Sequence, residues 1–250
     1  SDDVLNLAQT IDATGSVAVT GNLTVNLATG VASDASGLLG TDTLVGIQNV
    51  STGKGADSVV GSSAANTIVT DLANDTVGSA DTISAGAGDD IVIAGAGSDV
   101  IDGGAGADNI DAGTGNDQVV MDITDTIDGG TGVDSLVVKT SSLDLRGVTP
   151  HVSNVEALNL AQDTGANQVV LTKEFVEAMG GASAVVSIEG GANDKLTLAN
   201  TGSDPLTPIW FRDPSADVTG TAGNPSYVAY KSGTTTVMVN SLMQPVGNTL

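Results

Sequence analysis

Short runs of aliphatic residues separated by glycine-rich turns are the dominant pattern of this chain. In its middle the pattern recurs every nine residues, in four consecutive blocks: AGAGDDIVI from Ala85, AGAGSDVID from Ala94, GGAGADNID from Gly103 and AGTGNDQVV from Ala112. The eighth residue of every block is Val or Ile, and its two neighbours are predicted to face outward. Each block therefore predicts one turn and one short strand with a buried central side chain, and two blocks complete a coil of eighteen residues.

The first fifty residues show a looser version of this pattern. Leu23, Val25 and Leu27 alternate with polar residues, as one face of a strand would. We interpret residues 1–50 as solenoid rungs that form an N-terminal cap and cover the first apolar layer. Residues 51–138 are then the repeat region.

Glycine becomes sparser after residue 138, and short strands are predicted in SLDLRGV, VSNVEALNLAQ, NQVVLT, AVVSIEG and KLTLAN. One helix is predicted from Thr172 to Met179, because threonine is a good N-cap residue and Gly180 favours a helix end. Residues 139–250 are predicted to continue the β-rich solenoid and to cap it.

Glycine and aspartate occupy fixed positions in the four blocks. The second and fourth positions hold glycine: Gly86, Gly88, Gly95, Gly97, Gly104, Gly106, Gly113 and Gly115. The sixth position holds aspartate: Asp90, Asp99, Asp108 and Asp117. Glycine lets a turn adopt conformations that a side chain forbids, which leaves peptide carbonyls pointing into the turn. Because carbonyls and carboxylates are hard oxygen ligands, these residues are candidate calcium ligands.

An eighteen-residue coil places alternate blocks above one another. Asp90 is therefore predicted to lie above Asp108, and Asp99 above Asp117 on the opposite side. An ion between two stacked turns would take oxygens from both, whereas without it columns of like charge oppose folding. The expected mechanism is folding coupled to metal binding. The alternative is a polar β-solenoid whose aspartates only keep it soluble.

The repeat continues beyond the four blocks, but fewer of its glycines and aspartates are retained. Asp57 in TGKGAD and Asp134 in GGTGVD follow turns with both glycines, so they are further candidate metal ligands. Asp194 lies in GGANDKLTL, an imperfect copy of the repeat that lacks the second glycine, and is a weaker candidate metal ligand. The remaining residues of this pattern are predicted to have structural roles. Asn66, Asp75 and Asp81 are predicted to shape turns without an ion. Asp102 and Asp111 are predicted to face solvent, and Asp89 to point away from the ion.

Blocks with these glycines, aspartates and aliphatic residues resemble the nonapeptide repeat of RTX proteins, whose repeats form a calcium-loaded parallel β-roll. The resemblance implies an all-β fold: a parallel β-roll, or β-solenoid, with N-terminal and C-terminal capping regions and one short helix. It implies several Ca²⁺ ions as cofactor. It also implies type I secretion to a bacterial cell surface, with the chain as the C-terminal part of a longer protein. Extracellular calcium modules bind with a Kd of about 10⁻⁴ to 10⁻³ M, which suits folding after export.

Composition and charge narrow the range of partners. The chain has 250 residues, a formal net charge of -23 and no cysteine. Such a charge argues against nucleic acid or an anionic membrane surface as a direct partner, and no apolar run approaches the roughly 20 residues that span a bilayer. Neither disulfides nor thiolate metal sites are available, so calcium is the expected stabiliser. Cell-surface glycans or neighbouring surface proteins are the further partners expected.

Catalytic motifs are missing from the sequence. His151 is the single histidine, so the two-histidine zinc motif of RTX proteases is absent. Ser183 lacks the glycine-bounded elbow of RTX lipases. We interpret His151 as a loop residue, and the chain is not expected to be an enzyme.

Three classes of function fit the sequence. The favoured class is a structural and adhesive module of a secreted surface protein, with a role in attachment or biofilm formation. The second is a surface-layer component in which calcium also bridges neighbouring chains, and the third is a polysaccharide-binding accessory module of a secreted enzyme. Trp210, Phe211, Tyr227 and Tyr230 suit either a sugar-stacking platform or the small core that closes a solenoid.

Overall fold

The computed structural model describes residues 3–6, 22–35, 40–71, 78–160, 166–181, 185–190, 192–199, 211–212, 227–232, 234–240 and 243–245. The predictions made above for Asp75, Ser183 and Trp210 lie outside these residues. The chain divides into two compact units, Ser1–Asp134 and Ser135–Leu250, here called the first and second unit.

Short strands make up the first unit. In chain order they are β1 (Asp3–Asn6), β2 (Leu23–Asn26), β3 (Val31–Asp34), β4 (Thr41–Thr43), β5 (Ile47–Ser51), β6 (Ser58–Ser62), β7 (Thr67–Val69), β8 (Thr82–Ala87), β9 (Ile91–Ile93), β10 (Val100–Ala105), β11 (Asn109–Asp111), β12 (Thr114–Gly115), β13 (Gln118–Val120), β14 (Thr126–Asp128) and β15 (Thr131–Gly132). One parallel layer has the order β1-β5-β7-β9-β11-β14, and a second has β2-β6-β8-β10-β13. Strands β3 and β4 extend the second layer from β2 in antiparallel pairing, and β12 pairs with β15.

Successive coils place like residues in register, which builds the core of the first unit. Ile68, Val92 and Ile110 are cross-strand neighbours in one layer and are at most 1% exposed. In the other layer Ile83 and Ile101 form the corresponding buried row. Branched aliphatic side chains suit this arrangement because they pack well on a pleated surface. The predicted inward orientation of the eighth position is confirmed.

The second unit repeats the parallel layering with other spacing. Its strands are β16 (Ser135–Val137), β17 (Ser142–Asp144), β18 (Val152–Ser153), β19 (Ala157–Asn159), β20 (Gln168–Thr172), β21 (Val185–Glu189), β22 (Lys195–Ala199), β23 (Phe211–Arg212), β24 (Tyr227–Ser232), β25 (Thr235–Asn240) and β26 (Gln244–Pro245). One sheet has the order β16-β19-β21-β25-β24-β23, with antiparallel pairing only at β24 and β23. Another has the order β17-β20-β22-β26.

The helix α1 (Lys173–Gly180) follows β20 directly. The Thr172 hydroxyl accepts a hydrogen bond from the Phe175 N–H at 3.3 Å, as predicted for an N-cap. Gly180 was predicted to end the helix but is its last residue, and the C-cap is Gly181. Gly181 has a positive φ of 83°, and its N–H donates a hydrogen bond to the Glu177 carbonyl. Phe175, Val176 and Met179 face the core of this unit.

The fold class is confirmed as an all-β parallel β-roll, and α1 is the one helix within the described ranges. No helix in the described part of the chain is long and apolar enough to cross a membrane. The predicted roles of residues 1–50 and 139–250 as caps stay predictions.

Candidate metal centre

Buried aspartates and one buried asparagine form two columns in the first unit, one on each side of the coil where the chain turns. The Asp99 column contains Asp57, Asp81, Asp99, Asp117 and Asp134. The Asp90 column contains Asn66, Asp90, Asp108 and Asp125. Every one of these residues is at most 2% exposed.

A regular hydrogen bond links neighbours within each column. The Oδ1 atom of Asp99 accepts from the Asp81 backbone N–H at 2.8 Å, and the Oδ1 atom of Asp117 accepts from the Asp99 N–H at the same distance. In the other column the Oδ1 atom of Asp108 accepts from the Asp90 N–H at 2.8 Å. The predicted stacking of alternate blocks is thereby confirmed. Hydrogen bonds to a charged acceptor contribute about 1.5–3 kcal/mol each.

The second carboxylate oxygen of these residues has a different environment. The Oδ2 atoms of Asp90, Asp99, Asp108 and Asp125 are buried, and none of them has a hydrogen-bond partner among the described residues. A buried oxygen in that state loses its hydration without compensation. One oxygen of each carboxylate therefore serves the backbone, and the other is left for a ligand that carries positive charge.

The turns require glycine for two reasons: neighbouring turns approach each other closely, and the backbone has positive φ angles. A Cβ on Gly104 would collide with the carbonyl oxygen of Gly86, and a Cβ on Gly106 with that of Gly88. Their φ angles of 96° and 150° belong to the region that disfavours side chains. All glycines predicted as site residues have positive φ: Gly86, Gly88, Gly95, Gly97, Gly104, Gly106, Gly113 and Gly115. Turns stacked this closely bring backbone carbonyls next to the carboxylates.

Burial makes the ionised form of these aspartates costly. It raises the pKa of Asp99 to about 6, against a lowering hydrogen bond from the Asp81 N–H, and the charge of Asp71 raises it further. Burial likewise raises the pKa of Asp117 to about 7, and its column neighbours Asp99 and Asp134 add to the increase. A bound cation removes this penalty by giving each buried carboxylate a counter-charge.

The donor set fits calcium. Among the described residues no three Asp, Glu, His or Cys side chains converge on one point, so backbone carbonyls would have to supply most ligands. Carbonyl and carboxylate oxygens together are the ligands that Ca²⁺ prefers, whereas Mg²⁺ demands a tighter octahedral site and keeps several waters.

Both outer candidates lie in the Asp99 column. The Oδ1 atom of Asp57 accepts from the Leu23 N–H at 2.7 Å, and the Oδ1 atom of Asp134 accepts from the Asp117 N–H at 2.8 Å. The hydrogen-bonded series thus runs past the four blocks in both directions.

The nine-residue spacing did not identify two column members, Asp81 and Asp125. Asp81 is predicted above to shape a turn, and its Oδ1 atom accepts from the Asp57 N–H at 2.8 Å. Asp125 accepts from the Asp108 N–H at 3.0 Å. Their partners lie 24 and 17 residues away instead of 18, which hid the register. The available signal was the spacing of nine to the next aspartate, Asp90 and Asp134 respectively.

The aspartates outside the columns mostly behave as expected. Asp89 is exposed and its Oδ1 atom accepts from the Ala107 N–H at 3.0 Å, so it caps the next turn. Asp111 is exposed and Asp102 is half-buried. In the second unit the Oδ1 atom of Asp194 accepts from the Asn167 N–H at 2.9 Å, which is the same type of bond as in the columns.

Comparison with known families agrees with this geometry. The family model of the RTX calcium-binding nonapeptide repeat (4 copies) matches residues 45–77, 78–101 and 84–119. The matched region begins upstream of Asp57 and ends at Val119, so it covers most of both columns. A search of the curated proteins finds no match to the chain.

Proposed function

Because residues 45–119 of this chain are RTX calcium-binding nonapeptide repeats, we propose that the first unit binds Ca²⁺ along both columns and folds when it does so. The ligands are the Oδ2 atoms of the column aspartates and the carbonyls of the glycine turns. Several ions would be held, each between two consecutive turns. This family of repeats is the calcium-binding β-roll module of secreted proteins.

One observation carries the proposal: buried carboxylates are stacked in two columns, and no Lys, Arg or His side chain among the described residues is buried with them. Lys54, the nearest basic residue in the sequence, is exposed. Burying an ion without compensation costs several kcal/mol even after relaxation. The thin rungs of Val and Ile bury too little surface to absorb such a cost for several carboxylates, so the folded state depends on the ion.

Calcium dependence of folding tests the proposal directly. Far-ultraviolet circular dichroism of the chelator-treated full chain should gain β signal cooperatively near millimolar calcium and should not respond to the same concentration of magnesium. A chain that is fully folded in chelator and ignores calcium would show that the acidic columns are structural only.

We propose further that the module serves as a structural and adhesive part of a secreted bacterial surface protein. Its support is the outer surface of the roll, where the exposed polar residues Asn109 and Asp111 lie beside the exposed aliphatic residues Ile91 and Ile93 on the neighbouring strand. Glycan arrays and cell-adhesion assays with calcium-loaded protein, and with chelator as control, test this role. Calcium-dependent two-dimensional crystals on lipid would favour the surface-layer alternative instead.

We also propose that this chain has no catalytic activity. His151 is an exposed loop residue, and the acidic columns are periodic, so no pair of carboxylates is distinguished as acid and base. A panel of esterase, protease and glycosidase substrates should show no turnover at saturating calcium, and calcium-dependent hydrolysis of any of them would contradict the proposal.

A further inference from the structure

The turn that ends at Asp81 is longer than the glycine turns and begins with a second buried aspartate, Asp71. Asp81 lies 24 residues after its hydrogen-bond partner Asp57, whereas 18 residues separate Asp90 from Asp108, so this turn has six additional residues. Asp71 follows strand β7, and its side chain is 3% exposed. The function proposed above does not use this carboxylate.

Asp71 occupies the position that glycine has in the neighbouring turns. A Cβ on Gly113 would collide with the carbonyl oxygen of Gly95, its neighbour in the adjacent turn. A Cβ on Gly95 would collide in the same way with the Cβ atom of Asp71. Because Gly95 has no side chain, the side chain of Asp71 has room against the turn of Asp99.

The Asp71 carboxylate replaces a backbone carbonyl as hydrogen-bond acceptor. In the next pair of turns the Thr114 N–H donates to the Gly95 carbonyl at 2.7 Å. The Ala96 N–H is the equivalent donor one turn earlier, and it donates to the Oδ2 atom of Asp71 at 3.3 Å. A neutral acceptor between two turns has thus been exchanged for one that carries a negative charge.

A second carboxylate lies in the same interval, between the turns of Asp81 and Asp99. The Oδ1 atom of Asp99 accepts from the Asp81 N–H, which holds the Asp99 carboxylate between these two turns. Its Oδ2 atom is buried and has no hydrogen-bond partner. Burial and, to a smaller extent, the charge of Asp71 raise the pKa of Asp99, so the two carboxylates lie within electrostatic range of each other.

Backbone carbonyls from both turns face this interval. A Cβ on Gly97 would collide with the Ser79 carbonyl oxygen, and a Cβ on Gly78 with the Ala96 carbonyl oxygen. Two carboxylates with carbonyls on both sides are a set of hard oxygen ligands that suits Ca²⁺. Among the described residues, each other interval of the Asp99 column has one carboxylate that bonds the turn across it, from Asp81, Asp117 or Asp134.

We propose that Asp71 is a further calcium ligand, which gives the interval between the turns of Asp81 and Asp99 two carboxylates and makes it the tightest calcium site of the Asp99 column. The inference rests on the proposed calcium binding and adds which site fills first. Its physical reason is that calcium sites gain affinity with the number of charged ligands. The nonapeptide pattern does not include this ligand, because Asp71 lies at a glycine position.

Crystals of the full chain grown in calcium test the ligand assignment. We expect an anomalous calcium peak between the turns of Asp81 and Asp99, with an oxygen of Asp71 at about 2.3–2.6 Å from the ion. A peak there without Asp71 in contact, or ions elsewhere in the column and none there, would overturn the inference and leave the proposed function intact. Absence of calcium from both columns would instead refute the proposed function.

Matched variants test the order of filling in solution. Asp71→Asn keeps an oxygen acceptor for the Ala96 N–H and removes the charge, so the tightest calcium Kd, measured by competition with a chromophoric chelator, should rise about tenfold. Asp89→Asn makes the same change at an exposed aspartate that accepts from the Ala107 N–H, and it should leave this Kd nearly unchanged.

Circular dichroism in chelator separates a ligand from a structural residue. Asp71→Asn removes a buried charge, so its β signal without calcium should be no lower than that of the wild type. An unchanged tightest Kd in Asp71→Asn, or a β signal reduced equally in chelator and in calcium, would contradict the role of Asp71 as a ligand. The diffraction result on the wild-type chain decides if the variant fails to fold.

Discussion

The two units use the same turn hydrogen bond in different surroundings. In the first unit the Asp99 carboxylate accepts from the Asp81 N–H, and in the second the Asp194 carboxylate accepts from the Asn167 N–H. Within the described residues, only the first unit repeats this bond through consecutive coils with glycine turns beside it. The second unit has instead a helix, α1, which packs the buried side chains of Phe175 and Met179 into its core. Both units therefore use a buried aspartate to join one coil to the next, and we propose that its repetition beside glycine turns marks the metal ligands.

Removal of calcium by a chelator should produce the largest difference in stability between the two units. In hydrogen exchange of the full chain, amides of β8–β11 should lose protection by a factor of a hundred or more when calcium is removed, since uncompensated buried charge opposes their fold. Amides of α1 should keep most of theirs, because their burial depends on apolar contacts. Equal loss in both places would contradict a metal requirement confined to the first unit.

Glycine replacement should have the next largest effect. Gly106→Ala puts a Cβ against the Gly88 carbonyl, so we expect a loss of at least about 2 kcal/mol in the free energy of unfolding at saturating calcium. Gly147 in the second unit also has positive φ, at 74°, but a Cβ there would meet no heavy atom within 4 Å. Gly147→Ala should cost only about 1 kcal/mol. Urea titrations of both variants make the comparison, and equal losses would remove close stacking as the reason for glycine.

The double substitution Asp99→Asn with Asp108→Asn should raise the calcium midpoint of folding about tenfold or more, which corresponds to about 1.4 kcal/mol. Asparagine keeps an Oδ1 acceptor for the backbone but replaces the Oδ2 ligand by a donor. The pair Asp102→Asn with Asp111→Asn makes the same charge change outside the columns and should leave the midpoint nearly unchanged. Identical midpoints in the two double variants would refute the ligand assignment.

In the presence of a chelator, acidification should stabilise the folded state of the first unit relative to its unfolded state. Burial raises the pKa of Asp81, Asp117 and Asp125 to about 7, so the folded state retains protons that the unfolded state has already released. Stability of the metal-free unit therefore rises as the pH falls from about 8 to 5. In the second unit the Lys173 ammonium lowers the pKa of Glu177, and that contribution is lost at low pH. Circular dichroism in chelator from pH 8 to 5 should show a gain of β signal, and a steady loss would contradict it.

The smallest effect is expected at the helix cap of the second unit. Thr172→Ala removes the acceptor for the Phe175 N–H and should cost about 1 kcal/mol in the free energy of unfolding. Thr172→Ser keeps the acceptor and should be close to wild type. The calcium midpoint of the first unit should not change in either variant, as titrations of both would show.

Much of the fold and of the site could be predicted from the residues. The nine-residue spacing led to the stacked pairs Asp90–Asp108 and Asp99–Asp117, because a periodic coil permits only one register. The spacing did not identify Asp81 and Asp125 as column members, because an insertion or a deletion changes the spacing there while the hydrogen bond to the neighbouring coil is kept. A local pattern has no information about which distant turn a side chain will meet.

The sequence by itself determined the repeat, its strand and turn positions and the hard-oxygen chemistry of its side chains, since these follow from residue type and spacing. Only the tertiary structure decided which oxygen of each carboxylate bonds the backbone and which is left for a ligand. It also brought together residues that lie 18 positions apart, such as Thr124 with Gly106 and Asn66 with Gln48. Stacking of coils creates these contacts, and no single repeat contains them.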